Sequence, residues 1–320
     1  MKYKTLEGQG YHKIGSHSAV KPCKWFKESI LGRGQCYKNK FYGIESHRCI
    51  QCTPALQFCT NACRFCWRTM EFDADPNEMD RMKGWDEPEF LAEKMIAEQM
   101  RFVSGYGGNE LSTKKLCEEA RQPKQVALSL AGEPMIYPHM SGLIDEFTKR
   151  NMTTFLVTNG TLPKRIEELE TLPTQLYLSM ISPNEKMYTK TARPKSKENW
   201  GKYLESLDIL SSARKKTRTV LRMTLVRWLN ALNAKGYAEQ IIRANPDYVE
   251  VKSFVYVGGA RGDDRGLDLS DMLTLDEVKK FADEIGKECG YRRSEEHAPS
   301  RVVLLSRDKK TEGERLLCKK

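Results

Sequence analysis

The chain has 320 residues, 39% of them hydrophobic and 30% charged; that length buries a core without disulfides or a structural metal and suits one α/β barrel. It has no apolar run near the ~20 residues that span a bilayer and no apolar stretch behind its first positive charges, which argues against a membrane span or secretory signal and predicts a cytoplasmic protein. A net charge of +10 suits a polyanionic partner as well as plain solubility.

Residues 1–46 are polar, Gly-containing and weakly periodic, and read as an irregular extension. Seven of the ten cysteines fall between Cys23 and Cys66. In a reducing compartment such a cluster points to metal or catalysis rather than to disulfides. From His47 onward the chain alternates. The runs CIQCTPAL, QVALSLAG, TTFLVTNG, QLYLSMIS, TVLRMTLV and YVEVKSFVYV are short and rich in strand formers. Between them lie segments of helical pattern. Asp86 is placed to cap a helix that starts at Pro88 and carries Phe90, Leu91, Met95, Ile96 and Met100 on one face. Further helices are predicted over 139–150, 162–170, 199–214, 234–244 and 275–289. Six strands alternating with helices predict an α/β fold with a parallel sheet. Six is too few to close an eight-stranded barrel, so a partial barrel and an open doubly wound sheet both fit. In either, ligands sit at the carboxyl ends of the strands.

The motifs fall on that edge. FCTNACRFCWR places Cys59, Cys63 and Cys66 as CxxxCxxC directly after the first strand. Three thiolates on one loop can hold three irons of a [4Fe–4S] cube and leave the fourth open to substrate, with Phe65 and Trp67 shielding it. The competing reading takes Cys49-x-x-Cys52 and Cys63-x-x-Cys66 as a zinc ribbon of an RNA-binding protein without catalysis, which leaves Cys59 without a role. At the end of the second strand, LSLAGEP carries Gly132, Glu133 and Pro134. Cys23, Cys36 and Cys49 lie thirteen positions apart.

With these residues the chain resembles the radical S-adenosylmethionine superfamily, whose signature is CxxxCxxC after the first strand. Ala131 replaces the first Gly of that superfamily's GGE-like motif. Within it, the two cysteine triplets and the block HRCIQCTPALQFCTNACRFCWR resemble the archaeal-type tRNA 4-demethylwyosine synthases, and the match runs on through LYLSMISP and KMYTKTARP. The resemblance implies a partial (βα)6 TIM-like barrel over 47–290, an N-terminal cysteine-rich extension over 1–46, a C-terminal segment over 291–320 and no flavodoxin-like domain. It implies two [4Fe–4S] clusters, on Cys59, Cys63 and Cys66 and on Cys23, Cys36 and Cys49, with S-adenosylmethionine bound near Gly132, Glu133, Asn159 and Ser179. The implied reaction condenses pyruvate with an N1-methylated guanosine beside the tRNA anticodon, with electrons from an external flavodoxin- or ferredoxin-type donor. Another radical member with an auxiliary cluster and a different substrate is the alternative.

Pyruvate has two candidate holders: the open iron of the Cys23/Cys36/Cys49 cluster, or a Schiff base on Lys38 or Lys40; the resemblance points to Lys38. Asn159 also reads as a turn former in its Asn-Gly pair. Arg222 and Lys252 sit on strands, but alternation leaves their faces undetermined. Residues 258–266 read as a mobile loop. The five histidines form no metal-ligand pair, and Cys52 takes no assignment. Basic clusters at 193–197, 214–218, 261–265 and 291–293 are candidates for phosphate contact.

Overall fold

The computed structural model describes residues 5–70, 73 and 84–317. The stretch read as irregular holds a hairpin, β1 (His12–Ile14) and β2 (Ser18–Val20), and two helices, α1 (Lys24–Ile30) and α2 (Tyr37–Tyr42). Three-residue strands and six- or seven-residue helices are too short to show a period, which is why the sequence hides them.

The six apolar runs become six neighbouring parallel strands: β3 (Cys49–Thr53), β4 (Gln125–Leu128), β5 (Thr153–Thr158), β6 (Gln175–Met180), β7 (Arg218–Leu225) and β8 (Tyr248–Ser253). The crossovers are α3 (Pro88–Ser104) and α4 (Lys114–Ala120), then α5 (Met140–Lys149), α6 (Pro163–Glu167), α7 (Glu185–Ala192) with α8 (Asn199–Ala213), and α9 (Ala234–Ala244). After β8 come α10 (Leu275–Cys289), the hairpin β9 (Arg292–His297) and β10 (Val302–Ser306), and α11 (Lys309–Gly313). β1 and β2 extend the sheet antiparallel beyond β3, and β10 and β9 do the same beyond β8. The parallel core is the partial (βα)6 barrel.

Both faces of the strands are buried, hence their nearly unbroken apolar runs. Leu128, Leu156, Leu178, Met223 and Val251 face outward into one cluster with Leu91, Phe147, Leu207, Ile241 and Ile285 of the helices. Ala127, Phe155, Tyr177, Val220 and Tyr248 face inward, onto Tyr37, Phe41 and Tyr42 of α2. The N-terminal segment thus fills the hollow of the barrel.

Helix α3 departs from its predicted face. Its buried residues are Leu91, Ala92, Met95, Gln99 and Val103, while Phe90 is 39% exposed. Its N-cap is Glu87 rather than Asp86; the Asp86 carboxylate pairs instead with buried His17, Nε2 to Oδ2 3.1 Å.

Candidate active site

The loop after β3 is held from three sides. Gly132 has a left-handed backbone, φ +72°, and a Cβ there would lie 1.8 Å from the Ala55 carbonyl oxygen, so only glycine lets the two segments meet. Beside it the Glu133 amide donates to the Phe58 carbonyl at 2.7 Å. On the second side the Ala62 and Arg64 amides donate to the carbonyls of Ala192 and Thr191 at 3.0 Å each. On the third, the Gly259 amide donates to the Trp67 carbonyl at 2.7 Å and buried Arg265 donates from Nη1 to the Cys63 carbonyl at 2.7 Å. Residues 258–266, expected to be mobile, are therefore a strap docked on the cysteine loop; a Cβ on Gly259 would sit 2.1 Å from the Arg68 carbonyl oxygen.

Cys59, Cys63 and Cys66 line a cleft together with Gly132, Glu133, Asn159 and Ser179. The cleft has a volume of about 170 Å3 and lies at the carboxyl ends of the strands. Burial pushes the Cys59 and Cys63 thiols up, so their thiolates call for a positive partner such as metal. Arg68, which sequence reasoning passed over, is buried, pairs with Asp73 and lies within electrostatic reach of all three thiols.

The Glu133 carboxylate is buried and accepts from the Thr158 hydroxyl at 2.6 Å, the Asn159 amide at 2.7 Å and the Met135 amide at 3.1 Å. Burial pushes its carboxyl up to about 7 despite those bonds. The Asn159 side chain is more than a turn former: it donates to the Thr60 hydroxyl at 2.9 Å and reaches the Cys59 sulfur at 3.8 Å. Ser179 faces the cleft from β6.

Cys23 caps α1, its sulfur accepting from the Phe26 amide at 3.3 Å. Cys36 precedes α2 and Cys49 opens β3. Burial raises Cys36 to about 11 and Cys49 to about 12, and each of the two also responds to the charges of Cys23 and Lys38. Cys49 packs on the inner cluster whereas Cys52 is buried in the outer one, as an odd offset along a strand requires. That separation removes the zinc-ribbon pairing. Among the described residues neither triplet, nor the four ribbon cysteines, brings three ligand atoms within 4.8 Å of one another, whereas thiolates on one tetrahedral zinc lie about 3.8 Å apart. Thiols spread wider than that do not share a single zinc ion. Glu45, His47 and Glu119 do converge, but Arg48 and Lys124 reach Glu45, and Lys115 reaches Glu119. That group is a neutralised ion-pair network.

Lys38 and Lys40 part company. Lys40 is half exposed, bonded to the Glu296 carbonyl at 2.8 Å and paired with Glu295 at 3.2 Å. Lys38 is 7% exposed, its Nζ 4.6 Å from the centre of the Phe155 ring and 5.0 Å from that of Tyr177. Burial pulls its amine below the usual lysine range and Arg222 pushes the same way, against Glu250, Cys49 and Cys36. Strand register settles the faces left undetermined: Ser179, Arg222 and Glu250 stand side by side, with Lys252 beside Thr224 one layer nearer the cleft. Glu250 accepts from Arg222 Nε at 2.7 Å and from the Tyr37 and Tyr42 hydroxyls at 3.0 and 2.9 Å. No sequence signal marked Glu250.

Residues 53–231 match the model of the radical SAM superfamily, and residues 243–307 match that of wyosine base formation. An S-adenosyl-L-methionine-dependent tRNA 4-demethylwyosine synthase from Pyrococcus abyssi is 43% identical over 94% of this chain and 86% of its own length. The chain belongs to that family. The family's member from Methanocaldococcus jannaschii is 41% identical, with 96% of each chain covered. The mouse member is 37% identical over 97% of this chain, which spans 42% of that longer protein. A solved structure of TYW1 with a lysine-pyruvate adduct bound matches with a TM-score of 0.83 at 38% identity, covering 94% of each chain. One of archaeal TYW1 matches at 0.75 and 36% identity.

Proposed function

We propose that the protein condenses pyruvate with an N1-methylated guanosine beside the tRNA anticodon to form the tricyclic base 4-demethylwyosine. Cys59, Cys63 and Cys66 hold one [4Fe–4S] cluster, Cys23, Cys36 and Cys49 hold a second, and Lys38 captures the pyruvate keto carbon. The first cluster, when bound, supplies the electron that cleaves S-adenosylmethionine to methionine and a 5′-deoxyadenosyl radical able to take hydrogen from an N-methyl group. The electron comes from an external flavodoxin- or ferredoxin-type donor, and the enzyme works in the cytoplasm. In keeping with that setting, the described cysteines are all free thiols, and no helix among the described residues is long and apolar enough to cross a membrane.

The observation that carries the reading is continuity. The cysteine loop, Glu133, Asn159 and Ser179 share one cleft, and the strand face that leads down from it ends at Lys38 beside the second thiol triplet. The chain's own residues supply the order. Glu133 offers a buried anion to the amino end of S-adenosylmethionine, Asn159 and Thr60 fix the loop, and Phe65 and Trp67 wall the cleft against water. Lys38, set among rings, attacks the keto carbon and releases its oxygen as water. For the RNA, Arg193 donates to the Asp264 carbonyl at 2.8 Å, so two of the basic clusters meet beside the cysteine loop. The others lie elsewhere: Arg218 stacks on Tyr42 and Tyr248 at the opposite strand end, and Arg293 pairs with Asp283. Trp228, on the loop after β7, is 78% exposed with a left-handed φ of +61°, a platform for an unpaired base.

Separate loss of the two triplets tests the assignment. Cys59→Ala should abolish 5′-deoxyadenosine release. Cys23→Ala should remove half of the iron and still cleave S-adenosylmethionine, without forming the tricyclic base. Full iron and full condensation in Cys23→Ala would refute the second cluster.

A further inference from the structure

The inner face of the barrel holds a charged donor that is not fully matched among the described residues. Arg222 donates from Nε to Glu250, yet its buried Nη2 has no hydrogen-bond partner among them. Buried donors are almost always paired, and a charged one left bare is costly, so such an atom in a site calls for a ligand. Arg222 also lines the cleft that holds Cys59, Cys63 and Cys66. Its guanidinium carbon lies 4.4 Å from the centre of the Tyr177 ring, the ring on which Lys38 Nζ rests at 5.0 Å. Lys252 adds a third cation in the next layer, 6.0 Å from the Tyr37 ring centre. The carboxylate facing them, Glu250, is already engaged by Tyr37, Tyr42 and Arg222 Nε. The pocket therefore holds a guanidinium fork with one open prong, which is the chemistry that receives a small carboxylate.

We propose that Arg222 binds the carboxylate of the 2-oxo acid whose keto carbon is attacked by Lys38. The inference rests on the Schiff-base reading of Lys38 and deepens it. In that step the lysine nitrogen bonds to C2 and the keto oxygen leaves as water. The carboxylate on C2 is untouched, one bond from the reacting carbon. Holding it on a planar guanidinium orients C2 toward Lys38 and selects 2-oxo acids over uncharged ketones. S-Adenosylmethionine carries a carboxylate too, at its methionine end. Arg222 shares the cleft and a strand layer with Ser179 of that cofactor's site, but it also shares a ring with Lys38 and a strand layer with Glu250, whereas Gly132 and Glu133, which take the amino end, lie in the turn after β4.

The test traps the Lys38 imine with borohydride in the full-length protein without S-adenosylmethionine. Pyruvate is compared with methyl pyruvate, which has the same keto carbon and no charge, and the adduct is read by mass. Arg222→Lys keeps a charge opposite Glu250 but loses the fork, and should lower the ratio of pyruvate to methyl pyruvate trapping by about tenfold or more. Arg222→Gln made together with Glu250→Gln removes both charges of the ion pair and should lower that ratio at least as far. No labelling of the unaltered protein sinks the Lys38 reading and this proposal with it. Labelling at an unchanged ratio in both variants sinks the proposal alone. Weakened S-adenosylmethionine binding with the ratio unchanged would hand the carboxylate to the methionine end and equally overturn it.

Discussion

Glu133 is a buried carboxylate with hydrogen-bond donors around it and burial as the dominant force on its proton. Its carboxyl titrates near about 7 in the folded chain against an ordinary 4.5. Because the folded value lies above the unfolded one, the stability it contributes is fully present below pH 4.5 and is lost as pH rises through 7. At about 1.4 kcal/mol per pH unit, the loss across that window is roughly 3 kcal/mol. Glu133→Gln cannot ionise and removes this dependence. It also misplaces an amide NH2 against the Asn159 amide, which costs about 1–3 kcal/mol at every pH. The assay is urea unfolding of ligand-free protein at about pH 5 and pH 8, with both forms side by side. The variant should be the less stable of the two at pH 5 and should gain on the unaltered protein by roughly 2.5 kcal/mol between pH 5 and pH 8. S-Adenosylmethionine, whose ammonium would neutralise the carboxylate, should restore stability at pH 8 to the unaltered protein far more than to the variant. Parallel pH profiles for the two proteins, within ~0.5 kcal/mol, would refute the buried-anion account.

Gly132→Ala forces a side chain into left-handed backbone, at about 1–2 kcal/mol, and drives its Cβ against two carbonyl oxygens of the cysteine loop, adding about 1–3 kcal/mol. Lower iron uptake and a loss of ~2–5 kcal/mol in unfolding experiments are expected, and a stability change under ~1 kcal/mol would show that the loop does not lean on this turn. Trp228→Ala should weaken tRNA binding by about tenfold and leave the melting temperature and 5′-deoxyadenosine release unchanged. Binding by the unaltered protein should itself fall steeply with added salt.

What was legible followed from burial. The six parallel strands and α9 and α10 carry apolar patterns long enough to stand out, and the cysteine loop and the Gly132–Glu133 turn are local motifs. The barrel's filling was not legible. Tyr37, Phe41 and Tyr42 lie on a six-residue helix, and nothing in a sequence says that such a helix inserts between strands two hundred residues downstream. Arg222 and Glu250 were hidden differently. Each is a charged residue inside an apolar run, and only the register of β7 against β8 sets them face to face. Arg68 and Arg265 read as two more basic residues, whereas the fold uses one beside the thiols and the other as a backbone clamp.

Strand β3 gives the two thiol triplets a fixed gauge. Cys49 is its first residue and the Cys59/Cys63/Cys66 loop follows its last. At about 3.3 Å per residue the strand advances roughly 13 Å between its ends, and its pairing with β4 leaves no slack. The spacing of the sites is therefore quantised by chain length. One residue inserted within β3 would swing Cys49 to the helix-covered face, out of reach of Cys23 and Cys36. Two would return it to the inner face but about 7 Å out of place. An exposed surface loop can take an extra residue at little cost; this strand cannot change its count.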